Sequence, residues 1–292
     1  LQDKKINGVC IPGCRMLSEE ECRIWQVKPV DSDEEIDEQW LETINREDTV
    51  VCVLGEHESQ SGEAASRAFL TLPEEQQRLF EKIVKRTDNI VTVIISGRPL
   101  DLRRISEKSK AVIMAWRPGT MGAEGIVDLV YGMINPSGKL AVSIPWCVGQ
   151  VPISYWDIKT GHVLTEDNLE NRFTSRYMDI PNSPLYPFGF GLSYTEFDIS
   201  DVEVKIGQDK RVHVHCNVSN TGKLQGQRLF SAIMKHYKHL WYDRRRNLSV
   251  FRRFFWIREK LRVWISLLIQ KSFLTMIKIW KSLVAECNFE SV

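Results

Sequence analysis

The residues best suited to chemistry lie in a short segment before residue 70. Glu63 stands in the run SGEAASR, residues 61–67, and Glu56 and His57 directly follow an apolar run. A carboxyl group can donate or accept a proton in catalysis when burial or a neighbouring carboxylate raises its pKa towards neutrality. Loops that follow strands of an open α/β sheet are the usual place for ligands. Glu63 and Glu56 could do such chemistry, but residue type and position alone assign neither a role, because a lone loop glutamate is most often a solvated surface residue.

Three polar residues near Glu63 are candidates for substrate binding or for a supporting role. Arg67 suits a structural function, in which it holds the loop through a carboxylate or through backbone carbonyls, and direct ligand contact is the alternative. Glu56 and His57 lie where the preceding strand should end, a position that suits site residues and ordinary polar loop residues alike.

The segments around this loop alternate between strand-like and helix-like patterns. Three short apolar runs rich in β-branched residues predict buried strands: residues 49–54, 90–95 and 111–116. Helical patterns are found at residues 33–46, after Pro73 and at residues 122–131. Pro73 suits the first turn of its helix, and the acidic residues after it suit the positive N-terminal end. Continuous apolar strands separated by helices predict a layered α/β sandwich with a mostly parallel sheet.

The pattern changes near residue 145. Residues 145–196 are rich in proline and aromatic residues and predict a long loop segment. Residues 197–206 and 211–219 then alternate apolar and polar side chains, with Val214, Cys216 and Val218 on one face. This alternation predicts two strands of a half-buried antiparallel sheet.

The segment from residue 227 to residue 292 contains neither glycine nor proline and is rich in arginine and aromatic residues. One interpretation is a basic amphipathic helix that lies on a membrane or binds a partner, and a second is nucleic-acid binding. The third, which the abrupt loss of turn residues favours, is a non-native tail such as translation in a shifted reading frame. We expect order to end near residue 225 and the tail to be poorly packed or an isolated helix.

Residues 50–226 resemble the C-terminal α/β domain of family 3 glycoside hydrolases, followed by the start of that family's fibronectin-III-like domain. The matching segments, in chain order, are VLGE (53–56), SGEAASR (61–67), GRPL (97–100), PGT (118–120), NPSGKL (135–140), VGQVP (148–152), TSRY (174–177) and YPFGFGLSYT (186–195). The last segment is the most specific. The best likeness is to periplasmic bacterial β-glucosidases of the family.

The resemblance implies retaining hydrolysis of terminal β-D-glucosyl residues, with Glu63 as the general acid/base. It also implies that the nucleophilic aspartate belongs to a preceding β/α barrel, and that the protein is periplasmic or secreted. We therefore expect this polypeptide by itself to have little glycosidase activity, since both carboxyl groups are needed. The alternatives are a β-xylosidase-type member of the family and a non-catalytic carbohydrate-binding or interaction module.

On this basis the chain divides into four parts. Residues 1–145 form the α/β sandwich domain with an incomplete N-terminus, residues 146–196 a linking segment, residues 197–226 the start of an incomplete fibronectin-III-like β-sandwich, and residues 227–292 the basic tail.

Composition limits the other functional classes. The seven cysteines lack paired metal-ligand spacing, so we expect no metal, and nothing in the resemblance implies a cofactor. The net charge of +1 predicts no nucleic-acid partner, and only the basic tail suggests membrane contact. No uncharged apolar run reaches the roughly 18–20 residues that span a bilayer.

Overall fold

The computed structural model describes residues 8–26, 38–155, 162–206, 208, 211–234, 247–256 and 260–268. The chain divides into two compact units. The first comprises Leu1–Val130 and Ile144–Val151, and the second comprises Tyr131–Ser143 and Pro152–Val292.

A parallel sheet of three strands lies at the centre of the first unit. Its strands are β1 (Val50–Gly55), β2 (Ile90–Ile95) and β3 (Ala111–Met114), in the order β1-β2-β3. The middle strand is the most deeply buried, since Ile90, Val93 and Ile94 are fully inaccessible to solvent. Strands buried on both faces need helices around them, and the predicted α/β fold with a parallel sheet is confirmed.

Five helices accompany this sheet: α1 (Glu19–Trp25), α2 (Glu58–Ser61), α3 (Glu74–Val84), α4 (Arg103–Lys108) and α5 (Gly122–Val130). Helix α3 buries Leu79, Phe80 and Ile83, which lie on one face of the helix. Pro73 is the N-cap of α3 rather than its first residue. None of the helices in the described part of the chain is long and apolar enough to cross a membrane.

The helix predicted at residues 33–46 is wrong over its described part. Residues 33–37 lie outside the described residues, and Glu38–Thr43 form a 3₁₀ helix that buries Leu41. The chain then turns, because the Asp48 side chain accepts a hydrogen bond of 2.8 Å from the backbone N–H of Asn45. Such side-chain hydrogen bonds compete with helix formation.

The described residues of the second unit form five antiparallel strands in two sheets: β4 (Phe197–Ile206), β5 (Arg211–Asn220), β6 (Gly226–Met234), β7 (Asn247–Trp256) and β8 (Lys260–Leu268). One sheet has the order β4-β5-β8 and the other pairs β6 with β7. The predicted burial of Val214, Cys216 and Val218 along one face of β5 is confirmed.

The prediction that order ends near residue 225 is wrong, because β6, β7 and β8 continue beyond it. The described parts of the basic tail form strands and not a helix. Residues 248–256 and 261–268 are rich in β-branched and aromatic residues, which favour strands. Short apolar runs of this kind do not distinguish a strand from a helix by periodicity. Residues 269–292 lie outside the described residues.

The segment of residues 186–195 packs within the second unit. The N–H of Leu140 donates a hydrogen bond of 2.8 Å to the carbonyl of Phe190, and the ring of Phe190 stacks on Tyr186 at 4.9 Å between centroids. Gly189 has φ +84°, a conformation that glycine adopts without strain. The Asn135 side chain accepts hydrogen bonds from Ser193 and Tyr194.

Candidate active site

The end of β1 has no room for a side chain at residue 55. Gly55 has φ +156°, and a Cβ atom there would lie 1.8 Å from the carbonyl oxygen of Ile95. The buried amide of Gln76, in α3, donates to the carbonyl of Gly55 (2.9 Å) and accepts from its N–H (2.8 Å). These contacts fix the point at which the chain leaves the sheet for the loop of Glu63.

Glu56 follows directly, and its side chain is fully buried. Its Oε1 lies 3.1 Å from Nη1 of Arg67 and accepts a hydrogen bond from it. Its Oε2 accepts a hydrogen bond of 2.8 Å from the hydroxyl of Ser96 and lies 3.2 Å from Nε of Arg98. The Arg98 Nε–H is not aligned for a hydrogen bond, so this contact is an ion pair only. Two guanidinium groups thus compensate one buried carboxylate, which could not be buried ionised without them.

Arg98 also forms hydrogen bonds with the loop that contains Glu63. Its Nη2 donates to the carbonyl of Gln60 at 2.5 Å and to the carbonyl of Ala65 at 2.8 Å. Arg117, which follows β3, donates to the carbonyl of His57 at 3.2 Å and to the hydroxyl of Ser61. Residues from the ends of β2 and β3 therefore hold the loop that follows β1.

Helix α2 forms the first half of the loop. His57 is its N-cap, with Nδ1 accepting from the N–H of Ser59 at 3.2 Å. Gln60 accepts from the His57 N–H and donates at 2.8 Å to Glu21 of α1. Burial alone would raise the pKa of Glu21, but hydrogen bonds from Ser18 and Gln60 and the charge of Arg67 outweigh it. The pKa of this carboxyl therefore lies below its ordinary value.

Glu63 lies in a turn of the second half of the loop and is exposed. The next residue, Ala64, has φ +59°, a left-handed conformation that is uncommon for residues other than glycine. Ala65 is buried, so the chain returns to the protein immediately afterwards. Within the described part of this chain, the Glu63 side chain is therefore accessible to solvent.

The four candidate residues thus occupy different environments. Glu56 and Arg67 form one ion pair, the His57 ring caps α2, and Glu63 faces solvent. Sequence reasoning missed Arg98, since the segment GRPL is typical of a turn between strand and helix. Arg98 could have been found from its position just after β2. Because β1 and β2 pair in parallel, the residues that follow them, Glu56 and Arg98, lie at the same edge of the sheet.

Comparison with known proteins agrees with this architecture. Residues 11–194 match the glycosyl hydrolase family 3 C-terminal domain. The chain belongs to this family. It is 39% identical over 189 residues to a periplasmic β-glucosidase of Salmonella typhimurium, covering 64% of this chain and 25% of that protein. It is 32% identical over 191 residues to a β-xylosidase of Formosa agariphila, covering 64% of this chain and 25% of that protein.

Solved structures show the same relationship. The β-glucosidase of Listeria innocua in complex with glucose superposes with a TM-score of 0.69 at 31% identity, covering 86% of this chain and 33% of that one. The family resemblance seen in the sequence is confirmed, and so is the assignment to the glycoside hydrolases. The chain spans about a quarter of the length of the curated relatives named above. Among the described residues, no group of three or more His, Cys, Asp or Glu could hold a metal ion.

Proposed function

We propose that this chain supplies the general acid/base of a retaining β-glucosidase, and that Glu63 is that residue. The observation that carries the proposal is the exposed carboxylate of Glu63 on a loop beyond the carboxyl end of β1, held by residues from the ends of β2 and β3. Ligands of open α/β sheets usually bind at this edge. Membership of the family adds support, because its members named above include β-glucosidases.

In this mechanism Glu63 acts twice. Protonated, it gives its proton to the leaving glycosidic oxygen while a nucleophilic carboxylate attacks the anomeric carbon. Ionised, it then takes a proton from the water that releases the sugar. The two carboxyl groups of a retaining enzyme stand about 5–5.5 Å apart. The family resemblance implies that the nucleophile belongs to a β/α barrel, which would also shield Glu63 from solvent.

The substrate class we propose is a β-glucoside, with a β-xyloside as the second candidate because a relative of similar coverage is a β-xylosidase. We also propose a periplasmic or secreted location, which the likeness to the periplasmic β-glucosidase supports. Pocket residues outside this chain would discriminate between the two sugars.

The test is a fusion that places the barrel part of the Listeria innocua β-glucosidase in front of this chain. Aryl β-glucosides with poor leaving groups need protonation of the departing oxygen, whereas those with good leaving groups need it little. We expect Glu63→Gln to lower kcat/KM, which reports the step in which the leaving oxygen departs, by about 10²–10⁴-fold for poor leaving groups and far less for good ones. Azide, a nucleophile that needs no general base, should restore turnover of the good substrates.

The matched control is Glu58→Gln, which removes the same charge from an exposed residue of α2. It should leave both substrate classes unaffected. If Glu63→Gln lowers kcat/KM equally for the two classes, or for neither, Glu63 is not the acid/base.

A further inference from the structure

The buried carboxylate of Glu56 is connected to both halves of the loop of residues 57–67, which we call the acid/base loop. We propose that Glu56 is a positioning residue that holds this loop, and with it Glu63, in its working conformation. The proposal rests on the proposed function of Glu63. Glu56 itself is fully buried and does not face a substrate.

The connection runs along two routes. On the first, Oε1 of Glu56 binds Arg67, at the end of the acid/base loop, at 3.1 Å. On the second, Oε2 pairs with Arg98, whose Nη2 donates to the carbonyls of Gln60 and Ala65 at 2.5 and 2.8 Å. The chain is thus held before and after Glu63, which leaves the turn between these points free to present its carboxylate.

The turn between the two points is strained. Ala64 has φ +59°, and the left-handed region is unfavourable for a residue with a Cβ atom. Strained conformations persist only where the surroundings determine them, and they cluster at functional sites. The hydrogen bond from Arg98 to the carbonyl of Ala65 is the contact next to Ala64 that opposes relaxation.

Stability of the fold is a poor explanation for the Glu56 cluster. Buried ion pairs contribute little net stability compared with apolar side chains of the same volume, because desolvation offsets their attraction. The Nη2 group of Arg98 donates to carbonyls of the acid/base loop rather than to the sheet. Ser96 binds Oε2 and also receives the N–H of Arg98 at 3.1 Å, which fixes the carboxylate on the strand end. A rigid loop, rather than a more stable core, is what this arrangement provides.

Hydrogen exchange of the full chain tests the loop directly. We expect Glu56→Gln to accelerate amide exchange within residues 57–67 by at least about tenfold, with α3 changed by less than about twofold. The control is Glu81→Gln, which removes an exposed carboxylate paired with Arg104 at 2.6 Å. It should change neither segment. Unchanged exchange in the loop, or equal acceleration throughout the first unit, would overturn the proposal.

A second variant covers the case in which Glu56→Gln does not fold. Arg98→Lys keeps the positive charge beside Glu56 but cannot bridge the carbonyls of Gln60 and Ala65 with one planar group. The same selective acceleration is expected, and its absence counts against the proposal in the same way.

The kinetic arm uses the fusion with the barrel. A displaced acid/base should lower kcat/KM for poor leaving groups more than for good ones, whereas a merely destabilised protein loses kcat/KM for both classes together. Selective loosening of the loop without this kinetic change would show that Glu56 does not position Glu63. If Glu63→Gln itself leaves the leaving-group dependence unchanged, the proposed function fails, and exchange alone decides whether Glu56 holds the loop.

Discussion

The close approach of β1 and β2 at Gly55 makes a side chain at this position costly. A Cβ atom would meet backbone rather than a flexible side chain, because the nearest atom is the carbonyl oxygen of Ile95 at 1.8 Å. We expect Gly55→Ala to lower the free energy of unfolding by at least about 3 kcal/mol, through the forced separation of the strands and the positive φ.

Gly125 offers a matched control within the same unit. It lies inside α5, and nothing lies within 4 Å of the position that a Cβ atom would take there. Gly125→Ala should therefore be neutral or stabilising by up to about 1 kcal/mol, because alanine favours helix. Urea unfolding of the two variants measures the contrast, and equal effects would contradict the steric explanation.

Ala64 is the opposite of Gly55, because here a residue with a side chain adopts a conformation that favours glycine. Replacing it with glycine removes the strain of the left-handed backbone conformation, which stabilises the folded state by about 1–2 kcal/mol. Glycine also gives the unfolded chain more conformational freedom, which lowers the free energy of unfolding by about 0.4–1 kcal/mol. We expect Ala64→Gly to leave the free energy of unfolding nearly unchanged or to raise it by up to about 1.5 kcal/mol. A loss of more than about 2 kcal/mol in urea titrations would mean that the alanine methyl group packs against a neighbour.

At the scale of elements, α1 supports the acid/base loop from outside the sheet. Glu21 closes the capping box of α1 with Ser18 and accepts from Gln60 of α2 at 2.8 Å. Its pKa is lowered in the folded protein, so its carboxylate stabilises the fold above the unfolded value of about 4.3. That contribution is lost as the pH falls through the lower folded pKa.

The corresponding test compares the free energy of unfolding of Glu21→Gln with that of the wild type as a function of pH. At neutral pH this variant should be less stable than the wild type by about 1 kcal/mol, a value reduced by the partial exposure of the site. As the pH falls through the lowered folded pKa of Glu21, the difference should shrink towards zero, because the wild-type carboxyl becomes protonated as well. Glu20→Gln, on the exposed side of the same helix, serves as control. A difference that stays constant down to pH 2 would show that the charge of Glu21 has no role.

The three strands of the first unit were predictable from the sequence because their apolar runs are short, β-branched and bounded by polar residues. The ion pairs of Glu56 were not predictable in the same way. Their geometry depends on which strand ends lie side by side, and the pairing of β1 with β2 is a property of the fold rather than of either segment. The strands of the basic tail were missed because turn residues were expected between them, and aromatic runs satisfy helix and strand patterns equally.

At the scale of the whole molecule, β8 covers one edge of β5 over nine paired positions, from Arg211 opposite Leu268 to Ser219 opposite Lys260. A chain that ends at residue 256 leaves this edge unpaired beside the buried face of Val214, Cys216 and Val218. Unpaired edges promote association between chains. We expect this truncated chain to aggregate in size-exclusion chromatography, whereas a chain ending at residue 268 should remain soluble. Better solubility of the shorter chain would instead favour the interpretation of the tail as non-native.

The activity of the isolated polypeptide depends on what surrounds Glu63. Glu63 is exposed, and retaining hydrolysis needs a second carboxyl group about 5–5.5 Å away. A polypeptide of these 292 residues, purified by itself, should therefore release no more p-nitrophenol from p-nitrophenyl β-glucoside than its Glu63→Gln variant does. The fusion with a barrel should exceed both.

Calorimetric titration with glucose tests whether the isolated chain binds sugar even if it does not hydrolyse glycosides. Heat that saturates at millimolar sugar would support a carbohydrate-binding module, whereas no heat would count against it. Turnover by the isolated chain that Glu63→Gln abolishes would place the nucleophile within these residues and contradict the assignment to a barrel. Turnover that survives Glu63→Gln would remove Glu63 from the mechanism. The loop of residues 57–67 would then serve another purpose.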